Sequence, residues 1–218
     1  MSEQYPPPDA RTVGWPRKGD DDSGLGSGSS SIRSFVPKGR NQLGAEKEAT
    51  RDVARRFRGE GLQKVDSKGR VSIPALFRRV VQACDPNWTE GLAPELVIVY
   101  GDTRREFLEC YTIEAIEEVD AKIDALPRGS VGRKTLERLF HGQSFPTSID
   151  ETGRLVLPAK LRQKIDIGKE AYFIAAGDTF QIWNPATYEA DQEKTDAWLH
   201  DQPDDFDPLT FLDGDGGA

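Results

Sequence analysis

The chain has 218 residues, 36% of them hydrophobic, and a formal charge of −8. That length holds one sizeable core or two small ones. No apolar run approaches the ~20 residues needed to cross a bilayer, and no signal-peptide pattern opens the chain. A membrane-spanning helix is therefore excluded and a cytoplasmic protein is expected.

Residues 1–54 combine PPP, DDD and GLGSGSSS with scattered apolar side chains, and within residues 1–50 seven acids cancel seven bases. Such a segment buries too little apolar surface to offset its ordering entropy and reads as a disordered N-terminal extension. Met1 is the only methionine, yet foldable sequence begins near Val53. A non-AUG start at Val53 would remove the extension, and the intact mass of the native protein checks that expectation.

Structure is expected from Phe57 onward. Residues 62–66 and 70–73 read as short strands joined by Ser67, Lys68 and Gly69, with glycine where a tight reversal needs positive φ. Pro74 opens a helix over residues 75–83. Residues 96–100 form an apolar strand, which Gly101 and Asp102 turn toward a second strand over 106–111. Ile113, Ile116, Val119 and Ile123 recur at helical spacing after Thr112, and a further helix carries Leu136, Leu139 and Phe140. The order then restarts. Strands flank residues 150–153, Pro158 opens a helix, and residues 171–175 form another apolar strand. Gly177-Asp178-Thr179 repeats Gly101-Asp102-Thr103, and Phe180, Ile182 and Trp183 match Leu108, Cys110 and Tyr111. Asn184 suits an N-cap and Pro185 a first helical position. Residues 201–218 form an acidic tail expected to fray. Cys84 and Cys110 show neither metal-ligand nor redox spacing and read as reduced, partly buried thiols; no metal or other cofactor is expected.

The net charge conceals an uneven distribution. From Asp191 to the C-terminus there are nine acids and one base, whereas residues 51–79 hold nine bases and three acids. Residues 128–141 add four bases against one acid. A basic stripe on a chain whose acidity sits in one tail fits a polyanionic partner, although a lone basic run also reads as a solvated face.

The windows VDSKGRVSIPALFR (65–78) and IDETGRLVLPAKLR (149–162) share six identical positions and four apolar exchanges. About one identity is expected by chance, so the chain carries an internal duplication. Units of roughly 50 residues are marginal alone, so the two copies are expected to complete one core as a pseudo-twofold pair. Phe57-Arg58-Gly59, Asp66-Ser-Lys-Gly-Arg70, the Pro74-Ala75 helix start, and the second Asp150-x-x-Gly-Arg154 with Ile182-Trp183 resemble the MraZ family over residues 55–199. The resemblance implies an α+β, β-rich fold of two tandem SpoVT/AbrB-type ββαββ repeats interlocked in a barrel-like core. The implied divisions are 55–127 (core 61–111, with a following helix) and 128–200 (core 143–187, with flanking helices). It also implies a DNA-binding, nucleoid-associated regulator. Such a protein assembles into a ring-like homo-oligomer and represses the division and cell-wall gene cluster through short direct repeats of double-stranded DNA.

Four features depart from the family pattern: the extension, the longer acidic tail, Thr152 in place of Lys68, and Pro146 in the strand before Asp150. The proline demotes its strand to an edge. Together with the missing lysine, it points to two turns that do not read DNA equally.

Arg70 leaves the first turn beside Lys68, with Arg58 and Lys64 on the preceding segment and Arg154 as its counterpart. These five form the expected DNA-binding set. A guanidinium binds phosphate or guanine N7 and O6 bidentately, and a β-ribbon enters the major groove. Arg70 has a second reading, an ion pair with Asp66 that only shapes the turn. Asp66, Gly69 and Pro74, with Asp150, Gly153 and Pro158, are expected to form turns and helix starts. Arg78 and Arg162 are expected to support the turns from behind, with facing DNA as the alternative, and Trp183 to lie in the core or a subunit interface. One turn gives few contacts, so several subunits facing repeated sites would raise avidity ~10² or more. Two rival readings remain. Paired Asp66 and Asp150 could form a carboxylate dyad, but each precedes a solvent-seeking turn and neither is followed by Thr-Gly. An antitoxin-like protein-binding module would use Phe206, Leu209, Phe211 and Leu212 of the tail as anchors. That tail could instead compete with DNA for the basic face.

Overall fold

The computed structural model describes residues 55–213. The expected disorder of residues 1–54, the Val53 start and the last five residues of the tail lie outside the described residues. The elements are β1 (Glu60–Lys64), β2 (Arg70–Ser72), α1 (Ala75–Ala83), β3 (Glu95–Val99), β4 (Phe107–Thr112), α2 (Ile113–Asp124) and α3 (Val131–Leu136), which runs into a π-turn at Glu137–Gly142. Then follow β5 (Ser144–Ser148), β6 (Arg154–Val156), α4 (Ala159–Lys164), β7 (Glu170–Ala176), β8 (Thr179–Trp183), α5 (Pro185–His200) and a 3-10 turn at Pro208–Asp213. The fold is α+β and sheet-rich, as the sequence indicates.

Local chemistry sets the helix starts. The Thr112 hydroxyl accepts the Ala115 N–H at 3.2 Å, and the Asn184 side-chain oxygen accepts that of Ala186 at 2.9 Å, with Pro185 needing no partner for the N–H it lacks. Pro74 and Pro158 immediately precede α1 and α4 in extended conformation, ψ 139° and 152°, so each is the last residue before its helix.

All strand pairings are antiparallel. Six strands form one open sheet in the order β1-β7-β8-β4-β3-β5, and β2 pairs with β6 in a separate ribbon. Each strand of the first copy has its counterpart four strands later. Exchanging counterparts reverses the sheet order and leaves every pairing intact. The two copies are thus interleaved: β1 bonds to β7, β5 bonds to β3, and β4–β8 and β2–β6 join counterparts directly. This corrects the simple hairpin expected around residues 67–69. β1 and β2 share only a bridge between Val65 and Val71, because each strand finds its ladder in the other copy. Pro146 lies on β5, an edge of the sheet, where its missing N–H breaks no ladder.

The core fills the space between sheet, ribbon and helices. Phe57, Phe77 and Phe180 meet with ring centroids 5.1–5.3 Å apart, and Phe173 stacks on Phe180. Val71 and Leu155, the central residues of the ribbon strands, are fully buried. Burying each contributes about 1.5–3 kcal/mol, which holds the ribbon against the core. Phe57 is fixed by its N–H, which donates to the Gly177 carbonyl at 2.7 Å. Trp183 is buried against Phe107, in agreement with a core role. Cys84 and Cys110 are buried free thiols, and burial pushes the Cys84 thiol up to about 11. The tail departs from expectation. After α5 the chain folds back, and Trp198, Phe206 and Phe211 form an aromatic cluster with centroids 5.7–6.1 Å apart.

Candidate nucleic-acid interface

The two duplicated turns have nearly superposable chemistry. In the first, Asp66 Oδ1 accepts the backbone N–H groups of Lys68 and Arg70, each at 2.9 Å, and the Gly69 N–H donates back to the Asp66 carbonyl at 2.9 Å. In the second, Asp150 Oδ1 accepts those of Thr152 and Arg154 at 2.9 Å, and the Gly153 N–H donates to the Asp150 carbonyl at 2.8 Å. An aspartate that satisfies its own backbone two residues on is a turn former. Those N–H donors also stabilise the ionised carboxylate. The Arg70 N–H chiefly lowers the Asp66 pKa, and the Thr152 hydroxyl, 2.6 Å away, chiefly brings Asp150 down to about 2. A shared-proton dyad would raise one of the two, so these carboxylates have the opposite electrostatics.

The glycines serve more than the bend. Gly69 and Gly153 have φ of +79° and +78°, and each carbonyl accepts an N–H from the other copy, that of Leu157 at 2.8 Å and that of Ile73 at 3.0 Å respectively. A Cβ on Gly69 would lie 2.5 Å from the Leu157 carbonyl oxygen, so the two copies touch through backbone here. Support is likewise crossed. Arg162 donates from Nε to the Leu157 carbonyl at 3.0 Å and packs beside Gly69, whereas Arg78 packs its guanidinium against Gly153. Each helix therefore braces the turn of the opposite copy.

The β2–β6 register sets Arg70 opposite Val156, Val71 opposite Leu155 and Ser72 opposite Arg154. Side chains alternate along a strand, and the central pair is buried. Arg70, Ser72, Arg154 and Val156 therefore share the outer face of one ribbon, with the two arginines on a diagonal. Two residues 84 positions apart in sequence stand on a single surface. Ser72 and the exposed Val156 are members of that face which the sequence reading passed over. The signal was available in the alternation of Arg-Val-Ser and Arg-Leu-Val, with the apolar residue central.

The arginines are held differently. Arg70 donates from Nε to Asp66 Oδ2 at 2.6 Å, and among the described residues nothing holds its two terminal nitrogens. The ion pair expected of Arg70 thus exists, and it holds the guanidinium through Nε without engaging its two terminal nitrogens. Arg154 Nε lies 3.4 Å from Asp150 Oδ2 without a hydrogen bond, while the Thr152 hydroxyl donates to Asp150 Oδ1. Lys68 is exposed at the turn. Lys64 is exposed on β1 opposite Glu170, a cross-strand charge that competes for it. Arg58 is also exposed but lies at the far end of β1, ~20 Å from Lys64 at about 3.3 Å per residue, next to the β7–β8 turn. The structure therefore places Arg70 and Arg154 on one face of the ribbon with Lys68 in the turn beside Arg70, puts Lys64 at the end of β1 in the six-stranded sheet, and leaves Arg58 apart. Among the described residues no group of histidine, cysteine and carboxylate side chains could hold a metal ion, and no helix is long and apolar enough to cross a membrane.

Residues 140–205 match the family described as "MraZ protein, putative antitoxin-like". The transcriptional regulator MraZ of Ruegeria pomeroyi is 73% identical over 169 residues, covering 76% of this chain and 100% of that protein. That of Ruegeria sp. (strain TM1040) is 72% identical over 167 residues, again 76% of this chain and 100% of the relative. That of Cereibacter sphaeroides is 42% identical over 171 residues, 75% of this chain and 99% of the relative. Its sheet-rich α+β fold and these relatives define the class, a transcriptional regulator. The identity extends over whole relatives, and the chain belongs to the MraZ family.

Proposed function

We propose that the chain binds promoter DNA with the outer face of the β2–β6 ribbon, Arg70 and Lys68 being its main contacts and Arg154, with Lys64, subsidiary ones. The observation that carries this reading is the register that puts the half-buried Arg70 and Arg154 on the same outward face of the ribbon. A two-stranded ribbon is narrow enough for the major groove, and an arginine there reads guanine O6 and N7 or clamps phosphate. Asp66 supports this by orienting Arg70 through Nε alone. Arg58 would contribute only to a second, more distant backbone contact. Here the interleaved copies are two SpoVT/AbrB-type repeats, residues 55–127 and 128–200, in a shared barrel-like core. The protein acts in the cytoplasm on the nucleoid as a ring-like homo-oligomer and represses the division and cell-wall gene cluster through direct repeats. The oligomer gives weak single contacts their combined affinity.

The test is a gel shift on the DNA upstream of the chain's own coding sequence, comparing wild type with Arg70→Ala. Arg70→Ala is expected to weaken binding at least tenfold while keeping fold and assembly. Folded, oligomeric Arg70→Ala protein with wild-type affinity would overturn the assignment. A second reading, an antitoxin-like module that binds another protein, is favoured by the apolar side chains exposed beyond α5, Leu209 and Leu212 above all. On that reading, removal of residues 201–218 abolishes partner capture and leaves DNA affinity unchanged.

A further inference from the structure

Two surfaces outside the ribbon complement one another. The first is the hook formed by the end of α5 and the returning tail. Its aromatic cluster leaves Trp198 and Phe211 about half exposed, and Leu209 and Leu212 are 64% and 80% exposed. Asp196, Asp201, Asp204, Asp205 and Asp207 alternate with these apolar groups along the chain and are all exposed, and no lysine or arginine follows Lys194. The second surface is an open groove of about 590 Å³ between the β3–β4 loop and α3 with its π-turn. Its apolar lining is Leu139 and Val131, the latter 82% exposed. Asp102, its one carboxylate, is engaged by both Nε and Nη2 of Arg104 at 2.9 and 2.7 Å. Lys134 and Arg138 are left as cations without a carboxylate partner among the described residues.

We infer that the hook of one copy docks in this groove of a second copy. Acidic, apolar-tipped hook and basic, apolar-floored groove match in both charge and character. The contact is between copies because the hook is held away from its own body. Among the described residues the first turn of α5 is the part that is anchored, by Asn184 to the Asp166 carbonyl at 2.6 Å and by Tyr188 stacked on Tyr172 at 4.3 Å. Every residue from Glu189 to Asp201 is exposed, and a 16-residue helix is ~24 Å long. Hook and groove are different surfaces, so the contact is heterologous, and repeated copies close into a ring or extend into a filament. The inference rests on the oligomer reading above and supplies the interface for it.

The test measures the mass of the full chain by size exclusion with light scattering, alongside gel shifts on a DNA carrying one site. Lys134→Glu with Arg138→Glu, and separately Asp204→Lys with Asp205→Lys, change exposed side chains only. Each pair is expected to weaken assembly at least tenfold, and the four changes together are expected to restore it. Unchanged mass in either pair overturns the interface and leaves the oligomer reading standing. Dissociation that the combined protein does not repair overturns it as well. Reduced single-site DNA affinity in the groove pair, with unchanged mass, assigns the groove to DNA instead. A monomeric wild type overturns both the interface and the oligomer reading, and Arg70→Ala separately reports on the DNA reading.

Discussion

Substitution of glycine by alanine at three positions separates backbone strain from contact between the copies. Gly69, Gly153 and Gly59 have φ of +79°, +78° and +95°, so alanine meets comparable conformational strain at each, about 1 kcal/mol. Their surroundings differ. Nothing lies within 4 Å of a Cβ on Gly59. On Gly153 a Cβ meets the end of the Arg78 side chain, with Cζ 2.7 Å away, which can swing aside at modest expense. On Gly69 it meets the Leu157 carbonyl oxygen at 2.5 Å and Arg162 Nε at 2.9 Å. Backbone cannot swing aside, so the ribbon must open. That adds about 1–3 kcal/mol of overpacking and about 1 kcal/mol for weakening the 2.8 Å bond from the Leu157 N–H to the Gly69 carbonyl. Urea unfolding should therefore rank the losses as about 3–5 kcal/mol for Gly69→Ala, about 1–2 for Gly153→Ala and about 1 for Gly59→Ala. Equal losses at Gly69 and Gly59 would refute the close approach of the two copies.

Two further outcomes follow from side chains that satisfy backbone donors. Asp150 has its folded pKa lowered from 3.8 to about 2, first by the Thr152 hydroxyl. Its contribution is fully present above the unfolded value and is lost as pH falls through about 2. Thr152→Val should flatten the fall in stability between about pH 4 and 2 and lower stability at neutral pH, as read by urea midpoints at each pH. An unchanged acid profile would show the hydroxyl to be irrelevant. Asp85, 6% exposed, accepts the N–H groups of Asn87 and Glu95 at 3.0 and 2.9 Å and so ties the loop before β3 to that strand. Asp85→Ala should cost about 1–3 kcal/mol, and a loss under about 0.5 kcal/mol in the urea midpoint would remove that role.

Local elements were legible because local chemistry sets them. Thr112 and Asn184 announce helix starts by capping, Pro74 and Pro158 forbid helix before themselves, and Gly69 marks positive φ. The duplication was legible too, since a six-in-fourteen identity needs no structure to be seen. What stayed hidden was partnership. A three-residue strand such as Arg70-Val71-Ser72 pairs equally well with its own hairpin neighbour or with its counterpart 84 residues on. Only the shared burial of Val71 and Leu155 decides for the counterpart. The same limit explains Arg58. Arg58 precedes β1 by two residues and Lys64 ends it, so six positions in sequence become about a whole strand length in space. The tail was misread for a different reason. Its acidity and two prolines outweighed three aromatics spaced 198, 206 and 211, and those meet only when the chain reverses after α5.

The two turns share a backbone but carry different charge, and this asymmetry bears on how the ribbon would meet DNA. The first presents Asp66, Ser67, Lys68 and Arg70; the second presents Asp150, Glu151, Thr152 and Arg154. Replacing serine by glutamate and lysine by threonine makes the second turn two charges more negative. The loop from α1 to β3 also spans residues 84–94, whereas its counterpart spans 165–169, and Trp88, Gly91 and Leu92 of the longer loop line one groove with Asp150, Glu151 and Gly153 of the second turn. A phosphate backbone descending on the ribbon thus meets an open, basic turn on one side and a walled, acidic one on the other. If both turns face DNA, Glu151→Ser with Thr152→Lys should tighten binding and steepen the salt dependence, by about 0.9 in log–log slope for each added phosphate contact. The measurement is the dissociation constant across a salt series, with wild type in parallel. An unchanged slope would place the second turn away from the phosphates, leaving Arg70 and Lys68 as the reading edge and Arg154 as part of the scaffold that holds it.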